Sequence, residues 1–281
     1  MKETPFKKIK KSLVNEIPSE FISNLPNKWE KIGDVLLIVL PPILNDYKNL
    51  IGKSYSEVLK CKTVLRDTGG ISGELRIPEV EIIYGSENTE TTHKENGIKY
   101  KLDPQKIMFS SGNMDERIRM AKISNKKETI VDLFAGIGYF TLPIGVYSKP
   151  KKIIACEKNQ IAYDYLKENI VLNDVSSIVE PIIGDNRVVA PKNTANRVIM
   201  GYFEKTEKYL KVAIDCLHNH NGIIHYHGKF SDKMVPQKPM KKIEEEVKKN
   251  NCIVDLIAHF HVKSYAPGIS HYVFDLKIGD K

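Results

Sequence analysis

The chain has 281 residues, 41% apolar and 28% charged, with 14 Pro and 17 Gly. That composition excludes collagen-like, Pro/Gly-rich disordered and low-hydrophobicity classes and fits one large domain or two modest ones. Lys and Arg number 43 against 35 Asp and Glu, and the net charge of +8 is consistent with a polyanionic partner without naming one. Residues 1–28 carry Lys2, Lys7, Lys8, Lys10 and Lys11 and are punctuated by Pro18 and Pro26, which reads as a basic, solvated, partly mobile arm. Val35–Val39, Thr63–Leu65 and Val80–Tyr84 read as short strands separated by Gly69-Gly70, Gly73, Gly85 and Gly97. Residues 29–122 are accordingly assigned to a smaller N-terminal α+β domain with no complete βαβ repeat.

From residue 123 the texture changes. Thr129–Phe134, Lys152–Glu157, Val179–Ile183, Arg197–Met200 and Gly222–Tyr226 read as buried strands. Helical spacing falls between them at Ile161, Tyr165, Leu166 and Ile170, and helices are expected around 205–218 and 240–250. Alternation of this kind specifies an α/β fold, a parallel sheet covered on both faces, over 123–281. Ile253–His261 and His271–Leu276 are joined by Tyr-Ala-Pro-Gly instead of a helix, which predicts an antiparallel hairpin at one edge. No run approaches the roughly 20 apolar residues that span a bilayer, and Met1–Phe6 lacks the apolar stretch of a signal peptide. Cys61, Cys156, Cys216 and Cys252 have no zinc spacing. We expect a cytoplasmic protein with reduced thiols, no membrane association and no metal.

The sharpest motif is Asp132-Leu-Phe-Ala-Gly136-Ile-Gly138-Tyr-Phe140, at the end of the first parallel strand. Glycines there let backbone N–H groups approach a ligand at the crevice where open α/β sheets bind nucleotides. The third glycine of a dinucleotide fingerprint is replaced by Thr141, and Asp132 precedes the first by four, which argues against a pyrophosphate cradle. Glu157 ends the second strand, twenty-one residues beyond Gly136, where a carboxylate can accept from both ribose hydroxyls. Asp185-Asn186 ends the third strand, suited to an adenine edge. Three acidic strand ends and a glycine loop without a phosphate-binding Lys fit S-adenosylmethionine better than NAD or ATP. In a second reading, Glu157 and Asp185 only cap the helices that follow them.

The run Asp132–Thr141, the stretch Phe109-Ser-Ser-Gly-Asn113 with Glu116-Arg117, and Gly184-Asp-Asn-Arg187 resemble the archaeal tRNA wybutosine-synthesising aminocarboxypropyltransferases. These are close relatives of the tRNA (guanine-N1)-methyltransferases that act beside the anticodon. The likeness covers roughly Trp29 to Leu276, including Gly69–Arg76 and Thr92–Glu95. It implies a class I methyltransferase, Rossmann-like sheet of strand order 3-2-1-4-5-7-6 behind a tRNA-facing N-terminal module. It also implies Ser110 and Arg117 over the methionine end of S-adenosylmethionine, Gly136 in the cofactor loop, Glu157 on the ribose and Asp185-Asn186 on the adenine side. Arg117 has a second reading, as part of an exposed helical face with Glu116 and Arg119.

A sulfonium offers three carbons, and the one aligned about 3–3.5 Å from the nucleophile is transferred. The related methyltransferases carry Asn-Pro-Pro or Asn-Leu-Pro after the fourth strand, whereas this chain reads Val198-Ile-Met-Gly201-Tyr202-Phe203. With Gly184–Arg187, that departure favours transfer of the 3-amino-3-carboxypropyl group to C7 of 4-demethylwyosine at position 37 of tRNA(Phe). Methyl transfer to guanine 37 or a related base is the alternative, and a binding module without turnover is the third reading. Tyr202, His225 and His227 sit at strand ends as candidates for the base that removes the C7 proton. Lys229, Lys233, Lys238, Lys241 and Lys242 are candidate phosphate contacts. The anticodon loop is the expected partner, and a monomer the expected state.

Overall fold

Apolar spacing decides the first helix against the mobile-arm reading. The computed structural model describes residues 3–203 and 205–280; Lys2 of the basic cluster lies outside them. In helix α1 (Pro5–Leu13), capped by Thr4 and led by Pro5, Phe6, Ile9 and Leu13 recur at helical spacing. Ile9 and Leu13 are buried in one core with Leu36, Ile38, Leu44, Ile51, Tyr55 and Val64. The lysines occupy the other face, so the segment is amphipathic, not merely basic.

The chain divides into two units, Met1–Glu95 with Lys99–Ser111, and Asn96–Ile98 with Gly112–Lys281. The first holds a four-stranded sheet in order β1 (Glu30–Ile32), β2 (Val35–Val39), β3 (Thr63–Ser72), β4 (Ile77–Gly85). β2 and β3 are parallel and joined by α2 (Lys48–Leu59), so this unit does contain a βαβ crossover, contrary to the sequence reading. Gly52 interrupts the apolar pattern that would have revealed α2. A Cβ there would come within 2.8 Å of Tyr84 Cβ and 3.1 Å of the Ile83 carbonyl oxygen, so the glycine serves close helix–strand packing. Strands β5 (Thr91–Glu95) and β6 (Ile98–Leu102) pair as a ribbon.

The second unit begins with α3 (Met114–Met120), then β7 (Thr129–Asp132) and α4 (Thr141–Pro143), which runs on as a π turn over Ile144–Ser148. It continues as β8 (Lys152–Glu157), α5 (Gln160–Leu172), β9 (Val179–Ile183), α6 (Asn186–Val189) and β10 (Arg197–Met200). After these come α7 (Leu210–Cys216), β11 (Gly222–Ser231), α8 (Gln237–Lys248), β12 (Cys252–Ala266) and β13 (Ile269–Asp280). The sheet order is β12-β13-β11-β10-β7-β8-β9. Numbered from β7 and read from the β9 edge, this is the expected 3-2-1-4-5-7-6, with β13 antiparallel between β11 and β12. Val131, Ile154, Val198, Ile224, Phe274 and Leu276 pack with Leu210, Ile214, Ile243 and Val247 of α7 and α8 in one core.

The terminal strands are longer than their apolar patterns. Pairing of β10 with β11 stops at Met200 and Tyr226, but β11 runs on to Ser231 with β13 beside it throughout. Those five further residues extend about 17 Å at ~3.3 Å per residue. Strands β11, β13 and β12 thus form an arm beyond the carboxyl edge of the parallel strands. Among the described residues no helix is long and apolar enough to cross a membrane.

Candidate active site

The loop after β7 is shaped by two left-handed glycines, Gly136 (φ +57°) and Gly138 (φ +101°). A Cβ on Gly136 would stand 2.5 Å from the Tyr139 ring, and one on Gly138 2.6 Å from Leu142. Asp132 does not face the crevice, as its sequence position suggested; it is fully buried. Its carboxylate accepts from Thr141 Oγ1 at 2.8 Å and from the Phe134 N–H at 3.2 Å. Burial raises its carboxyl to about 6. Asp132 therefore ties the start of α4 to the end of β7. This also accounts for Thr141 where a dinucleotide fingerprint has glycine.

Glu157, at the carboxyl end of β8, meets that loop directly. Its Oε2 accepts the Gly136 N–H and its Oε1 the Asn159 N–H, each at 2.7 Å. Burial pushes its carboxyl up, while these backbone donors and that of Lys158 pull it down; the net shift is upward. It does not cap α5: Asn159 does, accepting from the Ile161 and Ala162 N–H groups. Asp185 does cap α6, through the Arg187 N–H. The Arg187 guanidinium and Lys158 also engage its carboxylate and hold it far below the usual range. Asn186 is buried. Its Nδ2 donates to the Leu133 carbonyl at 2.8 Å, whereas its Oδ1 is buried with no partner.

Ser110 belongs to the first unit, half-buried beside Phe109. The Phe109 ring meets those of His93 at 4.8 Å and Tyr100 at 5.4 Å. Arg117 belongs to the second unit and is 3% exposed, as is Glu116, which overturns the exposed-face reading. Beneath α3 runs a chain of buried charges that sequence did not reveal. Arg119 grips Glu116 through Nε and Nη2, at 2.8 Å each, and Asp275 through Nη1 at 2.7 Å. His225 Nδ1 lies 2.6 Å from Asp275 Oδ1, and His225 Nε2 lies 2.8 Å from Arg197 Nη1. Arg197 in turn donates to both oxygens of Glu128 at 3.1 Å. A guanidinium only donates. His225 Nε2 must therefore accept, which leaves the proton on Nδ1, donated to Asp275. The only trace of this chain in the sequence is the i, i+3 pair Glu116 and Arg119.

Two of the three base candidates are retired by this geometry. His225 has its free lone pair taken by Arg197, and His227 is fully buried with Nδ1 3.1 Å from His271 Nε2. Burial lowers both imidazoles, His227 the more strongly. Tyr202, in the loop after β10, stacks on Phe134 at 5.0 Å with an 11° tilt, and Tyr209 meets Phe134 edge-on at 4.9 Å. An aromatic cluster thus stands where the related methyltransferases carry their Asn-Pro segment. At the opposite ends of the strands, His220, Cys252 and Asp280 each bring one ligand atom within 4.8 Å of the others. Long separations in sequence hid that trio from a reading based on spacing.

Residues 91–255 match the family described as the TRM5/TYW2 methyltransferase domain, and residues 9–89 the TYW2 N-terminal domain. Over 271 residues the chain is 44% identical to the tRNA(Phe) (4-demethylwyosine(37)-C(7)) aminocarboxypropyltransferase of Pyrococcus horikoshii, covering 96% of each chain. It is 35% identical over 270 residues to the tRNA (guanine(37)-N(1))-methyltransferase Trm5b of Pyrococcus abyssi, covering 95% of this chain and 79% of that one. Its fold superposes on the crystal structure of P. horikoshii TYW2 in complex with MeSAdo with a TM-score of 0.89 at 41% identity. That match covers 98% of this chain and 100% of the other.

Proposed function

The chain belongs to the TRM5/TYW2 family, and from that premise we propose that it transfers the 3-amino-3-carboxypropyl group of S-adenosylmethionine to C7 of 4-demethylwyosine at position 37 of tRNA(Phe). The observation that carries this is the 44% identity to an aminocarboxypropyltransferase over nearly the whole of both chains. It exceeds the 35% identity to the N1-methyltransferase. The aromatic loop after β10, in place of the Asn-Pro segment, points the same way.

The site fits S-adenosylmethionine. A carboxylate has about four lone-pair positions. The backbone N–H groups of Gly136, Asn159 and Lys158 engage Glu157, which leaves its remaining lone pair for the ribose hydroxyls. Asn186 Oδ1, buried without a partner, suits an adenine amino donor, and Gly136 admits the ligand close to the backbone. In our reading Arg117 holds the methionine end, its guanidinium matched to the carboxylate. Asp185 acts indirectly, holding α6 and therefore Asn186 in place through its cap. Bound S-adenosylmethionine would supply a carbon on a cationic sulfur, so that C7 gains a C–C bond and gives up its proton to solvent, the C–S electron pair stays on sulfur and methylthioadenosine leaves. The chain's own part is to orient that carbon toward the base and exclude water with Phe134, Tyr202 and Tyr209.

The tRNA partner presents its anticodon loop, and the enzyme works as a monomer in the cytoplasm. In the first unit a cleft is lined by Lys31, Lys62, Lys94 and Lys101, with Asp34 and Glu90 pairing Lys62 and Lys101; the remaining positive charge supports a role in holding the RNA through phosphates. The test uses precursor tRNA with S-adenosylmethionine labelled in the methyl or in the carboxypropyl carbons. Carboxypropyl label in RNA, with methylthioadenosine released, is the expected result. Methyl label would make the protein a methyltransferase, and no label in RNA would make it a binding module.

A further inference from the structure

The projecting arm presents successive cross-strand rows on one face. His225 stands opposite Asp275; two residues outward His227 stands opposite Val273, and Val273 opposite Phe260; two further, Lys229 stands opposite His271, and His271 opposite Lys263. Residues two apart on a strand share a face. The first row is bound into the buried charge chain. The second is covered by Phe140, 4.9 Å from His227, and the centre of the third, His271, is buried under Phe203 at 4.4 Å. Burial holds His271 at about 3 and His227 well below its usual range, so both are neutral. The third row reaches the surface. Lys229 Nζ lies 4.4 Å and Lys263 Nζ 5.5 Å from the ring centre of Tyr265, which is 43% exposed, and Phe203 meets that ring at 6.3 Å.

An aromatic ring open to solvent, two ammonium groups converging on it, and a rigid apolar base below are the parts of a platform for single-stranded nucleic acid. Backbone phosphates draw the cations, and a base stacks on the ring. The platform lies beyond the carboxyl edge of the sheet, the edge at which such folds hold their ligands. It is also joined by Phe203 to the loop after β10. We propose that Tyr265, Lys229 and Lys263 grip the unpaired RNA strand flanking the reacting nucleotide, Tyr265 by stacking on one base and the two lysines by pairing with neighbouring phosphates. This rests on the tRNA-modifying reading above.

The test measures tRNA affinity as a function of salt for the wild type, Tyr265→Ala, Tyr265→Phe and the double variant Lys229→Ala/Lys263→Ala. Binding of S-adenosylmethionine is measured on each protein as the check of fold. Tyr265→Ala is expected to weaken tRNA binding about tenfold, as for the loss of one stacked base, with Tyr265→Phe restoring it. The double variant is expected to lower the slope of log affinity against log salt by about 1.4, two single-strand phosphate contacts. Wild-type affinity and slope in both alanine variants, with S-adenosylmethionine still bound, would overturn the platform and leave the tRNA reading intact. A wild type that binds no tRNA would overturn both.

Discussion

Replacing Glu157 by Ala separates two tasks that one carboxylate performs. Its oxygens accept the Gly136 and Asn159 N–H groups at 2.7 Å, and in the proposed complex the remaining lone pair accepts the ribose hydroxyls. A hydrogen bond to a charged group contributes about 1.5–3 kcal/mol. Deletion should therefore weaken S-adenosylmethionine binding by about 10- to 150-fold. The two backbone donors lose their acceptor as well, at about 1–3 kcal/mol each if water does not replace it, so the ligand-free protein should also unfold more readily. Titration calorimetry with S-adenosylmethionine reads the first effect, and denaturant unfolding without ligand reads the second. Since the Glu157 carboxyl lies above its ordinary range, with burial as the main cause, wild-type affinity should fall on acidification before an ordinary glutamate would protonate. Affinity in Glu157→Ala within twofold of wild type, with stability alone reduced, would refute the ribose assignment and leave Glu157 as a fastener of the glycine loop.

Asp132, raised to about 6 by burial from about 3.9 in an unfolded chain, binds its proton more tightly when folded. Its contribution to stability should fall by up to about 3 kcal/mol as pH rises from 4 to 6, and unfolding of Asp132→Asn across that range should lack this slope. For Asp275 the sign is opposite. Burial pushes its carboxyl up, but His225 and Arg119 outweigh that and hold it at about 2. Its stabilisation is present above pH ~4 and lost as pH falls through 2. Asp275→Ala leaves the His225 Nδ1–H buried without its acceptor, while Arg119 keeps Glu116, and should cost about 1–3 kcal/mol in urea unfolding; a loss below 1 kcal/mol would mean the chain of charges adds little. Gly136→Ala forces a side chain into φ +57° and within 2.5 Å of Tyr139. It should cost about 1–3 kcal/mol and weaken S-adenosylmethionine binding in the same calorimetric assay.

Much of the second unit was legible because its strands are buried on both faces. Arg197–Met200 is buried at every position and is a strand with those bounds, while Val179–Ile183, an edge strand carrying Glu180, matches its bounds through its Val and Ile residues. The glycine loop was legible because φ values of +57° and +101° leave few residues but glycine. The first unit was harder: Gly52 broke the pattern of α2, and the lysines of α1 masked its apolar stripe. Asp132 was misplaced for a different reason. Its position at a strand end does not say whether the carboxylate points to the crevice or inward to Thr141.

Local pattern by itself determined the order of strands and helices in the second unit and the edge that carries the glycine loop, because periodicity and backbone sterics act between near neighbours. Folding alone decided which distant charges meet. Arg119 and Asp275 are 156 residues apart, and the pairing of Lys229 and Lys263 across His271 depends on the register of three strands. Such pairings carry no local signal, since a charge is satisfied by whichever partner the packed backbone brings within hydrogen-bond reach.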